Sequence, residues 1–174
     1  CTSLVTAPSI LPATLDKYSG GCYNEMFRGC TSLTTAPELP ATTLANSCYW
    51  QMFNGCTSLV TAPSILPATT LSNNCYYSMF EGCTALTTAP ELPATELTDG
   101  CYQSMFRDCS SLVEAPTLPA TELTVNCYYQ MFEDCTSLTT APELPATTLS
   151  NNCYNKMFRY CTSLVTAPSI LPAT

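Results

Sequence analysis

The chain has no histidine, few charges and no long apolar run, and each shortage excludes a class of function. Without histidine, the side chain best suited to general-base work and metal binding near neutral pH is missing. Five lysine and arginine residues against thirteen acidic ones give a net charge of −8, which repels phosphate backbones, so we expect no nucleic-acid partner. No run approaches the roughly eighteen apolar residues of a membrane span, so we expect no membrane insertion of this segment.

What the sequence contains instead is a repeat. The segment Cys-Tyr-x-x-Met-Phe-x-x-Cys occurs six times, with 26 or 27 residues between successive starts. A fixed period of this length is typical of a solenoid, in which each unit buries its apolar face only against its neighbours. Because the chain starts and stops inside a repeat, we interpret it as an uncapped excerpt of a longer array. We predict one repeat domain over 1–174, with units 1–29, 30–55, 56–82, 83–108, 109–134, 135–160 and a partial unit 161–174.

Each unit has two predicted elements. Within 48–56, Cys48, Met52 and Cys56 lie four residues apart, and Tyr49 and Phe53 form a second such pair, which predicts the apolar face of a short helix. The stretch 33–39 is rich in threonine and limited by prolines, which predicts a strand of three or four residues. Strands stack at about 4.8 Å and helices at about 8–10 Å. We therefore expect an array that curves with its sheet on the inside.

The repeat resembles a known family. Phe-x-x-Cys-Thr-Ser-Leu-x-x-Ala, a following Leu-Pro, and a leucine before the next Cys-Tyr-x-x-Met-Phe are similar to the BspA-like leucine-rich repeat, over nearly the whole chain. The sequence departs from the family in the methionine before each phenylalanine and in the extra proline of Ala-Pro-x-Leu-Pro. With the resemblance, the expected fold is an α/β solenoid, a leucine-rich-repeat-like right-handed coil with short parallel strands inside and short helices outside. The family implies bacterial proteins, extracellular or on the cell surface, that bind host or microbial partners, and it supplies no catalytic residues.

Thirteen cysteines form the most conspicuous chemical feature. The two cysteines of one Cys-Tyr-x-x-Met-Phe-x-x-Cys segment would lie about 12 Å apart in a helix, too far to share a zinc ion or a disulfide. From unit to unit, the cysteines at the helix starts should be spaced like the helices, while those entering the strands can come within disulfide range. We expect no metal and favour buried thiols acting as small hydrophobes, with inter-repeat disulfides as the alternative. The predicted structural columns are Cys30, Cys56, Cys83, Cys109, Cys135 and Cys161, and Phe27, Phe53, Phe80, Phe106, Phe132 and Phe158.

No catalytic pattern is present, and we expect neither an enzyme nor a cofactor. The chain has no glycine-rich phosphate loop and no serine in a nucleophile elbow. Glu38, Glu91 and Glu143 share one repeat position, but they fall in alternate units, and a carboxylate on a sheet surface is usually only solvated.

Candidate binding residues are those that vary between copies. One set lies on the predicted outer face, where large rings suit contact with protein or glycan; alternatively, they only cover neighbouring helices. Its members are Trp50, Tyr77, Gln103 and Tyr129, flanked by Asn24 and Asn155. The other set lies at the strand end, where an isoleucine can also simply pack against a turn. Its members are Ile10, Glu38, Ile65, Glu91, Thr117, Glu143 and Ile170.

Two functions fit these observations. The first is a surface-exposed recognition or adhesion module that binds protein or glycan. The second is a structural spacer or a filament or coat element that self-associates end to end and has no dedicated ligand. Near-identity of the copies favours the second: residues 1–14, 56–69 and 161–174 are the same fourteen residues.

Overall fold

The computed structural model describes residues 1–13 and 20–171. Residues 14–19 of the first unit and residues 172–174 lie outside this range. Over the described residues the chain contains no helix and no strand of more than one paired residue. Within these two ranges, nine isolated parallel bridges join successive repeats. The predicted α/β solenoid with helices outside and strands inside is therefore wrong in both of its elements.

A run of consecutive turns occupies the place of each predicted helix. These turn segments span 20–29, 46–55, 73–82, 99–108, 125–134 and 151–160. In the second segment the backbone N–H groups of Trp50, Met52 and Asn54 each donate to the carbonyl three residues earlier. The residues between them donate to the next repeat: Gln51 N bonds Tyr77 O at 2.9 Å and Phe53 N bonds Met79 O at 2.9 Å.

Every fourth residue of a turn segment has a positive φ, the signature of a turn with a left-handed third residue. In 46–55 these residues are Ser47, Gln51 and Gly55, with φ of 54°, 51° and 71°. The unit that repeats is thus four residues long. The four-residue spacing of Cys48, Met52 and Cys56 matches this unit as well as it matches a helix, since residues i and i+4 also share one face of a helix.

The turn segments form because their backbones pair directly with one another. A helix satisfies its N–H groups internally and keeps its neighbours about 8–10 Å away, whereas the bridges elsewhere in each repeat hold neighbours at about 4.8 Å. Turns leave alternate N–H groups free to bond to the next repeat, so both sides of the repeat advance by similar distances. The mismatch of spacings that predicted a curved array is absent.

The rest of each repeat runs between prolines and touches its neighbours at single bridges. One column of bridges joins Thr35 to Thr61 and, further on, Thr88 to Glu114. Another joins Thr43 to Thr70. Because proline cannot donate a backbone hydrogen bond, the Ala-Pro-x-Leu-Pro stretches break what would otherwise be a continuous sheet.

The core consists of side chains that stack on their equivalents in the next repeat. In the column that runs from Phe27 to Phe158, neighbouring phenylalanine rings lie 5.5–5.9 Å apart, centroid to centroid, with 1–8° between their planes. The tyrosine rings from Tyr23 to Tyr154 form a second column at 5.6–6.0 Å. Methionines, leucines and cysteines fill the space around them. At these distances each ring contacts the one in the next repeat, which is favourable when the rings are offset.

The residues directly after Phe80, Phe106, Phe132 and Phe158 form a column of charged side chains, which we call the charge column. Arg107 lies 3.5 Å from Glu81 and 3.5 Å from Glu133, and Arg159 lies 3.2 Å from Glu133. Gln130 also donates to the Glu133 carboxylate. The Glu133 side chain is only 3% exposed, so these partners offset the cost of burying it, and the alternation of sign favours the observed neighbours over shifted ones.

Candidate functional site

The outer-face candidates lie in a single column, which we call the outer column: Asn24, Trp50, Tyr77, Gln103, Tyr129 and Asn155. Each sits in a turn segment one residue before a residue with positive φ. The carbonyls of the column from Trp50 to Asn155 accept a hydrogen bond from the preceding repeat, as in Gln51 N to Tyr77 O at 2.9 Å and Ser78 N to Gln103 O at 2.8 Å. The backbone pairing therefore holds these side chains in a fixed order along the stack.

Within the outer column, Trp50 and Tyr77 form an aromatic pair. Their ring centroids are 5.7 Å apart and the planes meet at 85°. Trp50 is 36% exposed and Tyr77 is half-buried. Over the described residues, neither the indole N–H nor the tyrosine hydroxyl has a hydrogen-bond partner. The pair offers a ligand two ring surfaces at right angles and two polar groups.

The remainder of the outer column is more polar. Gln103 is half-buried and follows Tyr77 along the stack. Beyond it, the Lys156 ammonium lies 5.8 Å from the centroid of the Tyr129 ring and 3.4 Å from its hydroxyl. Tyr129 thus has a cation above its ring, and the ring surface free for an outside partner is concentrated at Trp50 and Tyr77.

The strand-end candidates come together in pairs. Ile10 bridges to Glu38 and Ile65 bridges to Glu91. The copies that contain these isoleucines read Ser-Ile-Leu where the others read Glu-Leu or Thr-Leu, so they are one residue longer. In both pairs the serine carbonyl of the longer copy accepts a hydrogen bond from the glutamate N–H. Ile10 is 57% exposed. The bridges are made by the backbone, so the isoleucine side chains remain accessible next to exposed carboxylates.

Glu143 has a different role at the same repeat position. Its carboxylate accepts hydrogen bonds from the Ser169 hydroxyl at 2.8 Å, from Ser169 N at 3.2 Å and from Ile170 N at 2.8 Å. These three donors, the hydroxyl first, hold the pKa of Glu143 below its usual value. Glu143 therefore ties the last described residues to the stack.

An open cleft separates Thr117 from Glu143. Its walls are apolar, formed by Leu118 and by prolines, among them Pro116 and Pro142. These two repeats lack the extra residue of the Ser-Ile-Leu copies, and no backbone bridge joins them at this position in the described structure. The sequence shows the insertion pattern but does not show that a cleft opens where the insertion is missing.

A stripe of exposed valines was not among the predicted sites. Val5, Val60, Val113 and Val165 occupy one repeat position and are exposed, Val165 to 85%. Threonine takes this position in the alternate repeats, as at Thr34 and Thr87. The sequence signal is this alternation of valine and threonine, which we interpreted only as strand propensity.

In the part of the chain that the structure describes, neither cysteine column contains a disulfide. At the strand-entry position the thiol donates to the carbonyl of a phenylalanine in the preceding repeat: Cys56 to Phe27 at 3.0 Å, and Cys109 to Phe80 at 3.1 Å. Burial raises the pKa of Cys56 to about 11 and that of Cys109 well above its usual value. These thiols are protonated hydrogen-bond donors and poor nucleophiles.

The first cysteines of the Cys-Tyr-x-x-Met-Phe-x-x-Cys segments are not separated from repeat to repeat by the distance of packed helices. Tyr49 N bonds Cys75 O at 2.9 Å, which brings the backbones of consecutive turn segments into direct contact. Even so, Cys48, Cys75 and Cys101 are buried and unbridged. Over residues 1–13 and 20–171, no group of three or more acidic or cysteine side chains is placed to hold a metal ion.

The comparisons with known proteins concern the fold. No protein-family model matches the chain, and no curated protein matches it. Among solved structures, the chain is similar to the crystal structure of the T. pallidum leucine-rich repeat protein TpLRR, with a TM-score of 0.58 and 23% sequence identity over 92% of this chain and 68% of that chain. The chain is thus a repeat scaffold with the overall arrangement of a leucine-rich-repeat protein. Its described part holds no helix that could cross a membrane.

Proposed function

We propose that this repeat scaffold is a non-catalytic recognition module and that it binds a partner through the outer column. The observation that supports this most strongly is the Trp50–Tyr77 pair. The chain contains a single tryptophan, and it lies on the surface at a position where the other copies carry smaller or more polar side chains. Exposed tryptophan and tyrosine are the side chains most enriched at binding surfaces.

The resemblance to BspA-like repeats supports an extracellular or cell-surface location, and with it a role in adhesion. Such proteins are bacterial and present long repeat arrays to host or microbial partners. A scaffold with a buried core of stacked columns and a variable surface is suited to this role, because the surface residues can change without disturbing the packing.

The proposal is tested by presenting the purified protein to immobilised glycans and to extracellular host proteins. We expect retention on at least one of them, and loss of that retention in Trp50→Ala. Val113→Ala serves as the matched control, since it also removes an exposed apolar side chain, at a different repeat position. Retention that survives Trp50→Ala would contradict the outer column as the binding surface.

A spacer or self-associating filament element is the second candidate, favoured by the three identical fourteen-residue copies. A spacer needs length and stability and has no reason to vary its surface. In that case no immobilised partner retains the protein, and Trp50→Ala changes neither retention nor end-to-end association measured by light scattering.

A further inference from the structure

We infer that the ligand of the outer column is an extended, uncharged polysaccharide chain; this inference rests on the proposed function. The first reason is the charge of the column. None of its six residues is charged, and the two rings are flanked along the stack by the amides of Asn24 and Gln103. The net charge of −8 further disfavours an anionic polymer.

The second reason is the chemistry of the aromatic pair. Sugar rings carry C–H groups on their faces, which pack against aromatic rings, and hydroxyls at their rims, which need donors and acceptors. Trp50 and Tyr77 supply the ring surfaces, 5.7 Å apart. The indole N–H and the tyrosine hydroxyl have no partner over the described residues, and the amides of Asn24 and Gln103 add further donors and acceptors.

The third reason is shape. The outer column is one residue wide and runs along the stack, so it fits a linear chain better than the broad patch of about 800 Å² that a folded protein partner usually covers. The Trp50 and Tyr77 rings of neighbouring repeats lie 5.7 Å apart, whereas an extended peptide presents side chains to one face about every 6.6 Å. The side chains of a bound peptide would lose register with the repeats within a few units. A polysaccharide advances by one sugar ring per unit, so its rings stay closer to the spacing of the repeats.

The single tryptophan makes the test direct, because its fluorescence reports only on this patch. The probes are short β-1,4-linked oligomers of glucose, N-acetylglucosamine, xylose and mannose, with an oligogalacturonate as the anionic control. We expect a saturable change in Trp50 emission with at least one uncharged oligomer, with a Kd below about 1 mM. Tyr77→Ala should weaken this binding at least about tenfold, and Val113→Ala should leave it unchanged. Circular dichroism confirms that both variants are folded.

Binding of an uncharged oligomer should also be insensitive to salt, since no ion pair is involved. Failure of every uncharged oligomer, binding of the anionic oligomer alone, or binding that Tyr77→Ala does not weaken would overturn the inference. A host protein that binds through Trp50 in the retention experiment would then leave the proposed function standing with another ligand class. Absence of both kinds of binding would remove the proposed function as well.

Discussion

Gln51 is the residue at which a helix and a run of turns predict opposite outcomes. Its φ of 51° places it in the left-handed region, which costs a residue other than glycine about 1–2 kcal/mol. Gln51→Gly removes this cost but adds about 0.5–1 kcal/mol of conformational entropy to the unfolded chain. We therefore expect the free energy of unfolding to stay the same or to rise by up to about 1.5 kcal/mol.

If residues 46–55 formed a helix, Gln51→Gly would instead lower the free energy of unfolding. In a helix interior, glycine is about 1 kcal/mol less favourable than alanine, whereas glutamine is close to the best helix formers. Gln51→Val separates the alternatives further, because a β-branched residue is only mildly unfavourable in a helix but is strongly disfavoured at positive φ. We expect Gln51→Val to lower the free energy of unfolding by about 1–2 kcal/mol relative to the parent protein.

Urea denaturation followed by far-UV circular dichroism measures these differences. Asn54→Gly is the matched control: Asn54 lies in the same turn segment and is not among the residues with positive φ, so glycine there should destabilise by about 0.5–1 kcal/mol. If Gln51→Gly and Asn54→Gly destabilise alike, and Gln51→Val is well tolerated, the turn segments are not the conformation of this protein in solution.

Three further perturbations test the core, the charge column and the thiols. In thermal melts, Phe80→Ala should destabilise the protein by about 3–5 kcal/mol, whereas Trp50→Ala should destabilise it by less than about 1.5 kcal/mol. The opposite order would show that the phenylalanine column is not the core and that Trp50 is not at the surface. Glu133→Gln should destabilise by about 1–2 kcal/mol, because it removes the buried carboxylate that pairs with two arginines. Glu122→Gln, which changes an exposed carboxylate, should change stability by less than about 0.5 kcal/mol. Equal effects in urea titrations would show that the charge column contributes nothing. Folding raises the pKa of Cys56 from 9.0 to about 11. The stabilisation that this protonated, buried thiol gives the folded protein is therefore fully present below pH 9 and is lost as the pH rises through 11. Urea midpoints in reducing buffer should fall across that range, and a constant midpoint would show that the thiols are not buried.

The packing could be anticipated in part from the sequence, and the local conformation could not. The repeated tyrosine, phenylalanine, methionine and cysteine positions indicated a core made of equivalent side chains, and in the inner repeats, 48–135, those side chains are buried. The conformation of 46–55 was predicted as a helix from its four-residue spacing. Because Tyr49, Met52, Phe53 and Cys56 also fit the i, i+3, i+4 and i+7 pattern of a helix face, the apolar residues gave no signal against a helix.

The candidate binding residues show a similar division. Variation between copies identified Trp50 and Tyr77 as surface candidates, since residues that change from copy to copy are not required by the packing. That their rings meet at a right angle, and that Tyr129 is covered by Lys156 instead, depends on side-chain positions in neighbouring repeats. Backbone hydrogen bonds between repeats join residues at least 25 positions apart, and no local pattern encodes them.

The amino-acid sequence alone specified the period and most of the composition of the core, because these follow from which residues recur and at what interval. Only the tertiary structure decided between a helix and a run of turns, since both bury the same side chains at a spacing of four. The deciding factor was the partner of the alternate backbone N–H groups. They bond to the next repeat, which lies close enough to accept them, and a helix would have held it too far away.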